Sequence, residues 1–132
     1  MRMLESNLYP RGFGASMSDE EARQAAEDYY YAALDLVAEG HHEQAVEQYQ
    51  KSLASDPTFT EAMHGLSRAL QDLNRLDEAI AVARRISEFD PDDVLAHTSL
   101  SVLYQKKGMI PEAEDEGNKA RILGWKQQLK KS

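Results

Sequence analysis

Residues 40–57, GHHEQAVEQYQKSLASDP, return as residues 74–91, NRLDEAIAVARRISEFDP, after an interval of 34 positions. A third, looser copy occupies residues 108–125, GMIPEAEDEGNKARILGW. Ala45, Ala79 and Ala113 share one register, Gly40, Asn74 and Gly108 another, and Asp56-Pro57 recurs as Asp90-Pro91. Working outward, Leu66 and Leu100 also repeat, and acids recur beside the alanines as Glu43/Asp77 and Gln44/Glu78/Glu112. A fixed period of this length is what stacked helical hairpins produce, because one hairpin cannot bury its own apolar face.

The pattern has a direct physical reading. Each repeat is a helix A, a tight turn and a helix B. The A helices are predicted near 19–39, 60–73 and 93–107, and the B helices near 43–55, 77–89 and 111–123. Small residues fall where the two helices must approach, with Ala33, Ser67 and Ser101 on A facing Ala45, Ala79 and Ala113 on B. The turn position suits a left-handed backbone, which glycine adopts freely and asparagine tolerates. Pro57 and Pro91 stop the B helices, since a proline ring blocks the hydrogen bond to residue i−4. Pro111 stands in a first helical turn, where its missing N–H is harmless. Ser18-Asp19-Glu20-Glu21 has the form of a capping box, and Asp92-Asp93 and Glu112-Glu114 set carboxylates at helix starts, where the dipole favours them. Solvated helix starts explain these acid clusters better than metal sites do.

These residues resemble the second half of the tetratricopeptide consensus: a turn glycine, acid-Ala-aliphatic, and a helix ending in Asp-Pro. The resemblance runs through three frames, 26–59, 60–93 and 94–127. It implies an all-α, right-handed solenoid of three antiparallel helix pairs over residues 18–132, preceded by an extended arm, residues 1–17. The third frame is degenerate. The helix-B aromatic Tyr49 becomes Ala83 and then Gly117, and Trp125 replaces the final proline. Trp125 and Leu129 are therefore expected to fold back as a short cap. The large early residue of helix A is Tyr29, then Met63, then His97, all expected to pack between helices.

The resemblance also implies a function: a non-catalytic module that holds a protein or peptide, as an adaptor or accessory subunit, on the inner surface of its A helices. By register the groove residues are Tyr30, Tyr31, Leu34, His64, Arg68, Asp72, Thr98, Ser99, Val102 and Gln105. Tyr30 and Tyr31 either serve recognition or cover the end of the core. His64, Arg68 and Asp72 form a row at i, i+4 spacing on one helix face. The subgroup that grips acidic chaperone tails uses Lys, Asn and Arg at positions held here by Tyr30, Leu34, Gly65, Leu95 and Ser99, so a carboxylate clamp is not expected. The alternative reading is a self-associating structural protein that uses its arm and an uncapped solenoid end.

Composition narrows the classes further. The chain has 132 residues, of which 42% are hydrophobic and 29% charged, and no cysteine, so thiolate metal sites and disulfides are excluded. Residues 1–118 hold ten cations and all 23 acids, while residues 119–132 hold five cations. An acidic body argues against nucleic acid, which needs a basic face. No apolar run is long enough to span a bilayer, no secretory leader is recognisable, and a cytoplasmic location is the expectation. No phosphate loop, zinc-binding His-Glu-x-x-His or nucleophile elbow occurs, so neither an enzyme nor a cofactor is expected. His41 and His42 read as turn residues, not ligands. The arm is unusually apolar; Leu4, Leu8, Tyr9 and Phe13, with three methionines, make it a docking segment, in cis, in a partner or in another copy.

Overall fold

The computed structural model describes residues 18–131; the arm, 1–17, lies outside them, so its docking role is not addressed by the fold. Six helices follow in order: α1 (Asp19–Ala38), α2 (His42–Ser55), α3 (Thr60–Asp72), α4 (Leu76–Phe89), α5 (Val94–Lys106) and α6 (Ile110–Lys130). No strand occurs among the described residues. Each helix packs chiefly on its neighbours in sequence, α1 on α2, α2 on α3 and so on to α6, which is the contact pattern of a solenoid.

Local chemistry sets the boundaries. Ser18 caps α1 with a complete capping box, its hydroxyl accepting from Glu21 N–H while Glu21 accepts from Ser18 N–H. Asp93 caps α5 by accepting from Ala96 N–H at 3.0 Å. Gly40, Asn74 and Gly108 have φ of 82°, 61° and 77°, the left-handed turn that the shared register called for. Pro111 sits in the first turn of α6.

The close approaches occur where the small residues predicted them. Ala33, Ala45 and Ala79 are fully buried, and Ala113 nearly so. The two serines at the contact do more than save space. Ser67 Oγ donates to the Ala79 carbonyl at 3.1 Å, and Ser101 Oγ donates to the Ala113 carbonyl at 2.8 Å, bonding each A helix to its B helix. Ser52 repeats the device in the first pair, donating to the Ala26 carbonyl at 2.6 Å. Bonded in this way, a buried hydroxyl escapes the desolvation cost it would otherwise carry.

Two expectations are corrected. Tyr29 does not pack between helices; it stays 38% exposed on the flank of α1, with Lys51 Nζ 6.0 Å from its ring centre. The buried seam of α1 runs through Ala26, Tyr30, Ala33 and Val37, and Tyr29 stands about 100° round the helix from Tyr30. Met63 and His97, at the same register, are buried. Nor do Trp125 and Leu129 fold back as a cap. Helix α6 continues without a break to Lys130, and both residues are exposed, at 64% and 54%. The reason is the missing stop: Trp125 occupies the register of Pro57 and Pro91, and one glycine, Gly124, weakens a helix without ending it. Gln127 Nε2 secures the extension by donating to the Asp92 carbonyl at 3.1 Å.

The far end of the solenoid also differs from its interior. Val46 and Tyr49 on α2, and Ile80 and Ala83 on α4, are buried in the core. Glu114 and Gly117 hold those registers on α6 and line an open hollow of about 480 Å³ with Arg121 and Asn118. A polar face stands where a further repeat would need an apolar one.

Candidate functional site

The inner faces of α1, α3 and α5 enclose a groove of about 520 Å³. Seven of the residues assigned to it by register line it: Tyr30, Leu34, His64, Arg68, Thr98, Ser99 and Val102. Glu61 and Leu95 complete its rim, with Gln71 on the α3 wall. Tyr31, Asp72 and Gln105 do not line it. Tyr31 projects to solvent beside Tyr30, their ring centres 5.5 Å apart. Asp72 turns toward α2, where it accepts from Arg68 Nε at 3.2 Å and lies 3.3 Å from His42 Nε2. Gln105 faces the hollow beside α6.

The groove floor comes from a helix that register reasoning left out. Tyr49, on α2, reaches under Gly65 so closely that a Cβ at Gly65 would lie 2.4 Å from the phenol ring. Gly65 is therefore the space that Tyr49 needs, and the one available signal was a glycine in the middle of an amphipathic helix. Tyr30 stacks at a tilt on Tyr49 (6.1 Å) and on Phe59 (5.2 Å), and Arg23 lies 4.5 Å above the Phe59 ring. Burial raises the Tyr30 phenol, and the Glu61 and Tyr31 charges raise it further; burial, then Tyr30, does the same to Tyr49. Both hydroxyls thus stay protonated and available as donors. Tyr30 both packs against the end of the core and lines the groove wall.

His64 does not join Arg68 and Asp72 in one row. Its Nε2 donates to Asp93 Oδ2 at 2.9 Å, while Asp93 Oδ1 caps α5. His64 therefore ties the middle A helix to the start of the last one. Arg68 remains paired with Asp72, yet its side chain is 74% exposed and can turn to a ligand. His97 is buried between α5 and α6. Nδ1 lies 2.7 Å from Glu116 Oε1 and Nε2 lies 2.8 Å from the Pro91 carbonyl. Both partners are acceptors, so both ring nitrogens must donate and the ring carries a charge. Burial pushes this imidazolium down, but the bonds to Glu116 and Pro91 and the Glu116 charge outweigh it and raise its pKa. Among the described residues no group of three His, Cys, Asp or Glu side chains is arranged to hold a metal.

A family model described as tetratricopeptide repeat matches residues 36–103. The chain belongs to the tetratricopeptide repeat family. Repeats of this family generally mediate protein–protein interaction. A curated relative, the Schizosaccharomyces pombe protein named "Putative cargo-transport protein ypp1", is 31% identical over 75 residues. That match covers 57% of this chain but 9% of the relative, so the chain spans a small fraction of it. Among solved structures, MamA superposes with a TM-score of 0.76 at 20% identity, over 83% of this chain and 68% of MamA. The second tetratricopeptide domain of Spaghetti (RPAP3), solved with the HSP90 peptide SRMEEVD, gives 0.74 at 18% identity, over 80% of this chain and 96% of that one. At these identities the structural likeness speaks for the fold. No helix among the described residues is long and apolar enough to cross a membrane.

Proposed function

We propose that this chain is a non-catalytic adaptor or accessory subunit that holds a segment of another protein in the groove of α1, α3 and α5. The observation that carries the reading is the chemistry of the groove rim. Leu34, Leu95 and Val102 are 39%, 55% and 38% exposed there, around a reachable Arg68 and an exposed Glu61. Apolar side chains left open in a concavity, with a few polar groups between them, are the usual make-up of a recognition surface. The ligand class follows from the same residues: a peptide with aliphatic or aromatic side chains and both an acidic and a basic group. An acidic C-terminal tail gripped by a carboxylate clamp is a poor fit. The clamp positions hold Tyr30, Leu34, Gly65, Leu95 and Ser99, and the Tyr49 ring leaves no room for a longer residue at Gly65. The relatives named for cargo transport and solved with a bound peptide agree with a holding role.

The test is a photo-crosslinking amino acid placed at Leu95 or Arg68, with Glu88 on α4 as the control position. Partner crosslinks from the two groove positions alone, those from Leu95 abolished by Leu34→Ser with Arg68→Ala, are the expected result. Crosslinks from Glu88 instead would move the site to the outer surface. Tyr30 and His64 are unsuitable as binding probes, because one closes the core and the other anchors α5.

A further inference from the structure

Ten large apolar side chains are exposed among the described residues, and seven of them form two patches. One is the groove rim with Tyr31 beside it. The other is on the extension of α6, where Ile122, Trp125 and Leu129 are 48%, 64% and 54% exposed. Their i, i+3, i+7 spacing sets them on one face of the helix. At about 100° per residue that face points away from Glu116 and Gln127, which bond α6 to His97 and Asp92. This helix thus leaves Trp125 and Leu129 largely uncovered within the described fold, with Ile122 half-exposed at the mouth of a hollow shared with Pro91 and His97.

Charge is divided in the same way. Residues 18–118 hold 22 acids and eight cations, whereas residues 119–131 hold five cations and no acid. Arg121, Lys126, Lys130 and Lys131 make no ion pair among the described residues. Lys126 and Lys130 flank the apolar stripe. In the groove, Glu61 is exposed and likewise has no cationic partner. One chain therefore carries a cationic apolar helix face and an apolar groove in which Arg68 is paired with Asp72 while Glu61 lacks a cation.

We propose that α6 of one copy occupies the groove of another, with Ile122, Trp125 and Leu129 against Leu34, Leu95 and Val102 and with Lys126 and Lys130 toward Glu61. This rests on the groove being a protein-binding surface. It is the helix-in-groove mode of recognition, with the partner supplied by the chain itself. The contact is heterologous, so each open assembly retains one free groove at one end and one free helix at the other, and association continues head to tail. End-on stacking of solenoids is a weaker route, because Glu114 and Gly117 replace the apolar pairs Val46/Tyr49 and Ile80/Ala83 at the exposed end. A cationic Trp-bearing helix can also settle on an anionic lipid surface. Here the strongly acidic remainder of the chain opposes that approach and favours the groove of a second copy.

The experiment measures the mass of the full chain by light scattering across a wide range of concentration, at low and at high salt. The wild type is expected to grow with concentration and to shrink with salt. Trp125→Ser with Leu129→Ser removes the helix half, and Leu34→Ser with Leu95→Ser removes the groove half; all four side chains are exposed, and circular dichroism checks that both variants stay helical. Each variant alone is expected to be monomeric, and their equimolar mixture to stop at twice the monomer mass, since one intact helix then meets one intact groove. A wild type that stays monomeric throughout overturns the proposal. So does a groove variant that still associates, which would mean that α6 pairs with itself or with residues 1–17. Binding of the wild type to phosphatidylserine vesicles, lost in the helix variant while no self-association is seen, would assign the stripe to a membrane instead. A monomeric wild type whose groove still crosslinks a partner leaves the proposed function standing and removes only this inference.

Discussion

The contact between Tyr49 and Gly65 joins two repeats through one missing methyl group. Adding it as Gly65→Ala places a Cβ inside the van der Waals envelope of a ring that is 2% exposed and has little freedom to yield. We expect a loss of about 1–3 kcal/mol in denaturant unfolding, together with a displaced Tyr49 and a changed groove floor. An unaltered midpoint would mean that the ring moves freely. Ala79→Leu is expected to cost a similar ~1–3 kcal/mol, because Ala79 is fully buried and its carbonyl accepts from Ser67. The alanine register was readable because it repeats three times within one chain. The Tyr49–Gly65 pair was not, since it occurs once and links residues in different frames. His97 gives the residue scale its pH dependence. Its folded pKa is raised above the ordinary 6.5, so its contribution is full below that value and lost as pH rises through the folded pKa. The stability difference between wild type and His97→Gln should therefore be largest below pH 6.5 and shrink as pH rises through the raised folded pKa. The lowered carboxyls of Glu21, Asp56 and Glu78 act in the opposite sense and at lower pH, their contribution being lost only as pH falls through the carboxylate range. A difference that grew with pH would show that the ring is neutral when folded.

Among the elements, α6 separates what periodicity can predict from what it cannot. Five helices end within about two residues of their expected limits because each end carries a proline, a left-handed turn or a cap. The end of α6 carried none of these. The family pattern suggested a break at Gly124-Trp125, but absence of a proline leaves a helix free to run on, and 21 residues form one rod about 32 Å long. Gly124 is thus a weak point in an exposed helix and not a terminator. A Cβ there meets nothing within 4 Å. Gly124→Ala should raise stability by about 0.5–1 kcal/mol, the ordinary difference between the two residues inside a helix. Trp125→Pro should do the reverse and remove roughly a turn and a half of helix, measurable as lost ellipticity with little change at α1–α5. Ellipticity unchanged by the proline would mean that the extension is not helical in solution.

For the molecule as a whole, the groove was readable in outline because the A helices present one face by register, and seven of ten assigned side chains do line it. The misses are geometric. Tyr31 lies a single residue beyond the correct face, and Asp72 and Gln105 sit near helix ends, where α2 and α6 offer other surroundings. The remaining test at this scale concerns how much of the chain the core requires. Helix α1 starts on its own capping box at Ser18, and its first turns are held from within the solenoid. Ser52 bonds the Ala26 carbonyl, Arg23 lies over Phe59 and reaches Asp56 at 3.5 Å, and Tyr30 stacks on Tyr49 and Phe59. Nothing in that set draws on residues 1–17. A chain beginning at Ser16 should therefore keep its helicity and unfold within about 0.5 kcal/mol of full length, the scatter expected for changes outside a core. Burial of even four of the arm's large apolar side chains would instead contribute ~6 kcal/mol or more before the cost of ordering, at roughly 1.5–3 kcal/mol each. Those two magnitudes are far enough apart for one pair of denaturation curves to decide between them. A large fall in midpoint would place the arm in this chain's own core. An unchanged midpoint with weakened partner crosslinking would give the arm to the partner.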